Sequence, residues 1–331
     1  MSFDGVTLHN VVETAPAAWA DGGARLHRAP EGVRENVNVN ARDRLAHPTG
    51  CELRFVPDGD VDVTLSARAK TTVYPFWGAF QSSEPFEIGP EPTTHTLSVP
   101  ERVGKLRPDA DTGAFAPEVC RLRFDAWVPV AVHGVAGARR EPASGELPET
   151  DLLCYGTSIT EGMAASAPHL TYVAGAARAL GADAYNLGCS GSAFCEPAMA
   201  DYLAEREFDA ATLSVSVNMA NRGFTVEGFR ERVDYLLKTV ADANPETPVL
   251  AVTLFPYHAD AVADDNPERA AAFRRELREA VREADRPNLH LVEGPELMDT
   301  PGLTGDLLHP GDAGMISAGS GLADALDAFS G

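Results

Sequence analysis

The segment Asp151-Leu-Leu-Cys-Tyr-Gly-Thr-Ser-Ile-Thr-Glu-Gly162 joins a short apolar run to a polar, glycine-rich turn. The run Asp151–Tyr155 predicts a strand, and the turn places Ser158 just past its carboxyl end. Four more strands are predicted downstream, at Ala184–Leu187, Ala211–Val217, Pro248–Phe255 and Leu289–Val292. Helical patterns alternate with these strands, at Leu170–Leu180, Pro197–Arg206, Val226–Ala243, Pro267–Ala284 and Ala313–Phe329. Five β-α units in succession predict the α/β class, as a doubly wound parallel five-stranded sheet with helices on both faces.

The first half of the chain shows a period of two residues instead. Apolar residues alternate with polar ones at 61–67 and at 120–124, as in strands with one buried face. The alternating apolar residues are Val61, Val63, Leu65 and Ala67, and then Cys120, Leu122 and Phe124, which are separated by Arg121 and Arg123. Cys51–Val56 and Thr94–Val99 are further short strand candidates, and no long helical stripe precedes residue 137.

These patterns divide the chain into two domains. Residues 1–137 are predicted to form a smaller all-β sandwich, and residues 151–331 the α/β domain. Residues 138–150 carry two prolines and few apolar side chains, so they are predicted to be a linker.

Acidic residues dominate the charge of the chain. It contains 49 Asp and Glu against 27 Lys and Arg, which gives a formal net charge of −22. Such a chain repels phosphate backbones, so nucleic acid is not an expected partner. Because concentrated salt would screen the self-repulsion, the composition favours adaptation to a saline cytosol. An ordinary acidic protein from a GC-rich genome is the alternative.

Two further features bear on location and metal binding. The sequence opens with no basic and apolar leader pattern, and no apolar run approaches the roughly 20 residues that span a bilayer. We therefore expect a cytoplasmic protein with no membrane partner. The five cysteines lack C-x-x-C spacing, so reduced, buried thiols are expected rather than a zinc site or disulfides.

Polar or glycine-rich turns follow four of the five predicted strands. Ligands of doubly wound sheets bind at the carboxyl ends of the strands, so these turns are expected to meet. They are Tyr155–Gly162, which contains Ser158; Asn186–Ser192, which contains Gly191; Ser214–Met219, in which Asn218 ends the third strand; and Gly305–Pro310, which contains Asp306 and His309.

Three of these residues fit the requirements of nucleophilic catalysis. A hydrolytic serine requires a base within about 3 Å of its hydroxyl, and the base requires a group that fixes its tautomer. The spacing of Asp306 and His309 lets one turn hold the carboxylate against imidazole Nδ1, which leaves Nε2 for Ser158. Charge that develops on the substrate carbonyl oxygen requires fixed N–H donors. The Ser158 and Gly191 amides and the Asn218 side chain are expected to supply them as an oxyanion hole.

The four blocks, in this order, resemble the SGNH (GDSL-type) esterase and acylhydrolase superfamily over residues 151–329. The sequences GTSIT, NLGCSG and VNM look like the branch of that superfamily with an N-terminal β-sandwich. The resemblance implies a flavodoxin-like hydrolase domain. Carried over residue by residue, it implies Ser158 as the nucleophile, His309 and Asp306 as the other triad members, and Gly191 and Asn218 in the oxyanion hole.

The chain departs from the classical motifs of the superfamily at two positions. Thr157 stands where the Gly-Asp-Ser form has aspartate, and Met219 stands where the Gly-x-Asn-Asp form has aspartate. Both changes leave the atoms needed for chemistry in place. They weaken any transfer of substrate preference from the classical lipases.

Each of these residues also has a purely structural interpretation. Ser158 could cap a helix, Asp306 and His309 could begin one, and Asn218 and Gly191 could serve only their turns. Other residues that could carry chemistry are expected to have structural roles instead: Cys189 and Cys195 in packing, His258 in an exposed loop, and Trp19, Trp77 and Trp127 in packing rather than sugar binding.

The sequence therefore predicts a serine esterase that needs no metal ion and no organic cofactor. Short acyl groups, acetyl above all, on carbohydrates or small metabolites are the substrates that the resemblance implies. A thioesterase or lysophospholipase with a preference for longer acyl chains is one alternative. A catalytically inactive carbohydrate- or partner-binding protein with the same fold is another.

Overall fold

The computed structural model describes residues 3–329, which form two compact units. Unit 1 comprises the chain as far as Pro30, Leu45–Glu149 and the short segment Gly181–Asp183. Unit 2 comprises Glu31–Arg44, Thr150–Leu180 and the chain from Ala184 onward. The predicted linker 138–150 contains a two-residue strand, so part of it is ordered against unit 1. The division into domains at 137 and 151 stays a prediction.

Unit 1 is built from two antiparallel sheets. Its strands are β1 (Thr7–His9), β2 (Glu13–Pro16), β3 (Ala24–His27), β4 (Glu52–Pro57), β5 (Val61–Ala67), β6 (Thr71–Trp77), β7 (Phe80–Gln81), β8 (Phe86–Ile88), β9 (Thr93–Leu97), β10 (Cys120–Phe124), β11 (Val130–Ala136) and β12 (Arg139–Arg140). One sheet has the order β1-β4-β10-β6-β7, with β12 beside β4 and β8 beside β6, and the other has the order β2-β3-β11-β5-β9. A single apolar cluster takes side chains from both sheets, so the predicted sandwich is confirmed.

The outer face of the first sheet is charged, yet it is also buried. Glu52 and Arg54 of β4 pair in register with Arg123 and Arg121 of β10. Both Glu52 oxygens accept hydrogen bonds from Arg121, and Arg54 donates to the Asp183 carboxylate at 2.5 and 2.7 Å. The alternation at 120–124 predicts one buried face, but Arg121 on the other face is only 7% exposed. We call these four strand residues, together with Asp183, the charge cluster.

Unit 2 contains a five-stranded parallel sheet, as predicted. The strands are β13 (Asp151–Gly156), β14 (Asp183–Gly188), β15 (Ala210–Ser214), β16 (Val249–Val252) and β17 (Leu289–Val292), in the order β14-β13-β15-β16-β17. The helices are α1 (Glu31–Arg34), α2 (Val39–Arg44), α3 (Ser158–Glu161), α4 (Tyr172–Leu180), α5 (Pro197–Ala204), α6 (Ser216–Asn221), α7 (Val226–Ala243), α8 (His258–Ala261), α9 (Pro267–Ala284), α10 (Gly294–Leu297) and α11 (Asp312–Asp327). Helices α4, α10 and α11 pack as one group and α5, α7 and α9 as another.

Two helix predictions match the structure at both ends, and a side chain caps the start of each of these helices. Thr225 accepts a hydrogen bond from the Gly228 amide at the start of α7, and Asn266 accepts one from the Arg269 amide at the start of α9. Such capping residues are visible in a sequence. The described residues, 3–329, include no helix that has both the length and the apolarity needed to cross a membrane.

The third strand of the parallel sheet is shorter than predicted. It ends at Ser214, and the chain turns into α6 at Ser216, so Asn218 lies within a short helix rather than at a strand end. Every residue from 210 to 220 is buried, and serines alternate with valines at 214–217. This alternation has the period of a strand, so periodicity could not reveal the helix. Helices α1 and α2 escape prediction because they span only four and six residues.

Candidate active site

A continuous hydrogen-bonded chain joins three of the residues selected from the sequence. Ser158 Oγ lies 2.9 Å from His309 Nε2. His309 Nδ1 lies 2.6 Å from Asp306 Oδ2. Ser158 and His309 are buried, at 4% and 8% exposure, whereas the Asp306 side chain is about half exposed. An imidazole held in this way donates from Nδ1 to the carboxylate and can accept the serine proton at Nε2.

Ser158 stands at a sharp strand-to-helix turn. It is the first residue of α3, and the Thr157 side chain caps that helix by accepting from the Ile159 amide. Gly156 makes the turn possible, since a Cβ there would lie 2.1 Å from Thr160 Oγ1 and 2.7 Å from the Ser214 carbonyl oxygen. The turn therefore requires glycine two residues before Ser158, and it places Ser158 past the end of β13.

Asp306 holds the histidine turn with one oxygen and the imidazole with the other. Asp306 Oδ1 accepts from the backbone amides of Leu308 and His309, at 2.9 and 3.0 Å, and from the Thr304 hydroxyl. Leu307 takes the left-handed conformation, with φ of 53°, which lets the loop close this tightly. Burial tends to raise the pKa of the Asp306 carboxyl, but the hydrogen bonds from His309, Leu308 and Thr304 outweigh it. The pKa lies well below the ordinary value of 3.8, so the carboxylate is charged at neutral pH.

Three N–H donors of the predicted oxyanion hole are open. The Asn218 side-chain oxygen accepts from the Ala193 amide at 3.0 Å, which leaves Nδ2 free of that loop. Gly191 has a φ of 65°, and this left-handed conformation favours glycine. In the described part of the chain, no acceptor is bonded to Asn218 Nδ2 or to the amides of Gly191 and Ser158. Fixed donors without an internal partner are what a developing oxyanion requires.

Two polar residues that the sequence did not single out hold the Gly191 loop in place. The fully buried Glu161 accepts from the Ser190 amide at 2.6 Å. Asn38 donates from Nδ2 to the Ser192 carbonyl oxygen at 2.8 Å and to Glu196 at 2.6 Å. Glu161 lies inside the serine block. A charged residue in this strand-to-helix turn could have indicated a supporting role for Glu161. Nothing in the sequence around Asn38 points to a loop more than 150 residues away.

The residues that the sequence assigns to structural roles are not part of this hydrogen-bonded chain. All five cysteines are buried and free, and burial raises the pKa of the Cys195 thiol above its ordinary value. His258 bonds to Asp265 at 2.6 Å. Trp77 belongs to the apolar cluster of unit 1, and Trp19 donates its indole N–H to Ser66.

The fold is similar to that of several solved enzymes, at identities that show a shared fold only. A salicylyl-acyltransferase from a tetracycline biosynthetic pathway has a TM-score of 0.79 at 18% identity, over 98% of this chain and 94% of that one. A family two carbohydrate esterase from Clostridium thermocellum has a TM-score of 0.62 at 17% identity, over 84% and 91%. An acetyl xylan esterase from Butyrivibrio proteoclasticus has a TM-score of 0.61 at 12% identity, over 99% and 96%.

The sequence itself places the chain in a family. No curated protein matches it. The model of the GDSL-like lipase/acylhydrolase family matches residues 149–326, which is more than half of the chain and contains the whole serine–histidine–aspartate chain. The chain therefore belongs to the GDSL-like lipase/acylhydrolase family and is an ester hydrolase of the SGNH type.

Proposed function

We propose that this protein is a serine esterase that cleaves short acyl groups, acetyl above all, from carbohydrates or other small metabolites. The observation that carries the proposal is the hydrogen-bonded chain from Ser158 through His309 to Asp306, with contacts of 2.9 and 2.6 Å. A catalytically inactive binding protein has no need of these three side chains in that order.

In the proposed reaction, Ser158 Oγ attacks the ester carbonyl carbon while its proton passes to His309 Nε2. The carbonyl oxygen takes the negative charge and is bound by the amides of Ser158 and Gly191 and by Asn218 Nδ2. When the tetrahedral intermediate collapses, His309 protonates the leaving alcohol, and an acyl–Ser158 ester remains. Water then gives a proton to His309 and attacks this ester, so the acid is released and the Ser158 hydroxyl is restored.

The charged state of Asp306 supports this assignment. A carboxylate beside Nδ1 stabilises the imidazolium that forms twice in each cycle and keeps the neutral ring in the tautomer that accepts at Nε2. The lowered pKa of Asp306 keeps this partner ionised wherever His309 works as a base. The partial positive charge at the N-terminus of α3 also favours a negative charge beside Ser158. A helix of four residues contributes little by itself.

The preference for short acyl groups rests on the solved relatives. Of the three similar enzymes described above, one is named a family two carbohydrate esterase and another an acetyl xylan esterase. The third is named an acyltransferase, and an acyl–Ser158 ester attacked by an alcohol instead of water would give that reaction. The acidic composition supports work in concentrated salt, and a cytoplasmic location stays a prediction.

The proposal is tested by hydrolysis of p-nitrophenyl acetate, butyrate and decanoate in molar KCl. Wild-type protein should cleave acetate fastest, and Ser158→Ala should lose on the order of 10⁶ in turnover because it removes the nucleophile. Preference for decanoate would favour the thioesterase or lysophospholipase alternative. A folded protein that cleaves none of the three would contradict the proposal and favour the inactive binding protein.

A further inference from the structure

A guanidinium group lies beside the proposed oxyanion hole. A Cβ built on Gly191 would lie 3.1 Å from Arg222 Nη2, and no other described atom outside the local chain comes within 4 Å of that point. Arg222 directly follows α6, four residues after Asn218 in the chain. The cation thus lies next to the Gly191 loop.

The backbone on either side of Arg222 is held by hydrogen bonds from a neighbouring helix. Arg269 donates from Nε to the Ala220 carbonyl oxygen at 2.7 Å and from Nη2 to the Phe224 carbonyl oxygen at 2.6 Å. These bonds hold the backbone on both sides of Arg222. Gly223 takes the left-handed conformation, with φ of 76°, at the turn between them. A cation on a fixed backbone loses less conformational freedom when it binds a ligand.

The guanidinium of Arg222 has no partner among the described residues. Throughout residues 3–329, its exposed guanidinium forms no ion pair and no hydrogen bond. Other arginines of unit 2 contrast with it, since Arg230, Arg274 and Arg278 all pair with carboxylates. In a chain with 49 acidic residues against 27 basic ones, an open cation beside the site is available for an external anion.

We propose that Arg222 binds an anionic group of the substrate, a carboxylate or a phosphate, and that anionic esters are the preferred substrate class of this site. The inference rests on the proposed function, because the Gly191 amide beside it would bind the carbonyl oxygen. The planar guanidinium donates two parallel N–H groups to a carboxylate or phosphate, which a lone ammonium cannot do. The anion can be carried by the acyl group or by the alcohol.

Matched ester pairs that differ in one charge separate these two sources. On the alcohol side, 4-acetoxybenzoate is compared with methyl 4-acetoxybenzoate. On the acyl side, the mono-4-nitrophenyl ester of adipate is compared with 4-nitrophenyl hexanoate. The quantity measured is the ratio of kcat/KM for the anionic ester to kcat/KM for its neutral partner, in wild type and variants at one salt concentration.

One ester pair carries its charge on the same side of the ester, acyl or alcohol, as the natural substrate. For that pair, Arg222→Gln should lower the ratio of kcat/KM between the anionic and the neutral ester about tenfold or more, since a charge-assisted bidentate contact is lost. Arg222→Lys should recover part of the ratio. Arg222→Glu should lower it further and raise the ratio of acetylcholine to the uncharged 3,3-dimethylbutyl acetate. The control is Arg178→Gln, which removes an exposed arginine of α4, a helix that holds none of the proposed site residues, and it should leave every ratio within about twofold of wild type.

The outcomes distinguish this inference from the proposed function. If Arg222→Gln lowers kcat/KM of anionic and neutral esters by the same factor in both pairs, anion binding by Arg222 is refuted while esterase activity stands. The same conclusion follows if the ratios do not change. If wild type cleaves none of the four esters, or if Ser158→Ala cleaves them equally well, the proposed function itself fails.

Discussion

The charge cluster of unit 1 and the hydrogen-bonded residues Asp306, His309 and Ser158 of unit 2 differ in one respect. They differ in whether a polar atom is left without a hydrogen-bond partner. In the charge cluster of unit 1, each Glu52 oxygen and each Asp183 oxygen is bonded to an arginine. In unit 2, the chain of hydrogen bonds runs from Asp306 through His309 to the Ser158 hydroxyl. The backbone amide of Ser158 has no hydrogen-bond partner among the described residues.

This difference separates the charge cluster from the proposed catalytic residues. Burial alone does not, because Glu52 is more deeply buried than Asp306 and its pKa is also held below the ordinary value, against the effect of burial, by Arg121, Arg54 and Arg123. A perturbed pKa therefore occurs in both regions. What distinguishes the group in unit 2 is the orientation of a side chain. The bond from Asp306 turns Nε2 of His309 toward the hydroxyl of Ser158, at the end of β13.

After the loss of Ser158 itself, the largest effect should come from removing the carboxylate that orients His309, at Asp306. Asp306→Asn removes the charge that stabilises the imidazolium and permits the wrong tautomer of His309, so kcat should fall about 10³–10⁴-fold. The measurement is kcat for p-nitrophenyl acetate at neutral pH, in the variant and in wild type. A loss smaller than about tenfold would show that the carboxylate does not support His309 in the reaction.

The pH profile of the wild-type enzyme tests the charge on Asp306 separately. Because the folded pKa of Asp306 lies well below 3.8, its carboxylate stays ionised between about pH 5 and about pH 8. Asp306 should therefore contribute no ionisation to the dependence of kcat on pH in that range. An ionisation between those pH values that is present in wild type and disappears in Asp306→Asn would contradict the ionised state.

A smaller loss than that of Asp306→Asn should follow from removing one open donor. Asn218→Ala deletes Nδ2 from the proposed oxyanion hole and should lower kcat about 10²–10³-fold. The matched control is Asn221→Ala, three residues later on the same short helix and exposed. Single-turnover kinetics of both variants, with circular dichroism to verify folding, give the comparison. Equal rates for the two variants would remove Asn218 from the oxyanion hole.

The smallest effect on turnover should come from the charge cluster, which should instead govern stability. Glu52→Gln leaves buried arginines without their carboxylate and should lower the free energy of unfolding by about 3–5 kcal/mol. Activity per folded molecule should stay within about twofold of wild type. Urea unfolding measures the first quantity, with Glu87→Gln as a control, since Glu87 pairs with Lys70 on the exposed surface of the same unit.

The pH dependence of that stability has a definite sign. The folded pKa of Glu52 lies below its unfolded value of roughly 4.3, so its contribution is present above that value and is lost as pH falls through the folded pKa. The difference between wild type and Glu52→Gln should therefore shrink on acidification. A difference that widens in acid, or a control variant that is equally destabilised, would show that the cluster is not held together by the Glu52 charge.

The sequence is informative where chemistry follows a strand end. The serine block and the Gly191 block directly follow recognisable strands, and the Asp306–His309 turn comes just before the recognisable helix α11. The parallel sheet and the meeting of Ser158 with His309 could therefore be predicted. Asn218 lies on a helix and not at the end of the strand to which its sequence assigns it. The residues around Asn218 are buried both in β15 and in α6. Because no face is exposed, the sequence shows no amphipathic period that would distinguish a helix from a strand.

Other features depend on contacts that no local pattern records. The ring centroid of Phe115 lies 3.5 Å from the guanidinium carbon of Arg121, and nothing in the alternation at 120–124 indicates that the polar face is covered. Arg222 lies beside Gly191, and the backbone around Arg222 is bonded to Arg269 of another helix. These are tertiary facts, so only the structure could supply them.

The most direct test of the central claim, that Ser158 is the nucleophile, is covalent labelling with a fluorophosphonate followed by peptide mass spectrometry. The account predicts one adduct, on the peptide that contains Ser158, with no labelling of Ser158→Ala and strongly reduced labelling of Asp306→Asn. An adduct on Ser190 or Ser192, or ester hydrolysis that persists in Ser158→Ala without any adduct, would contradict it.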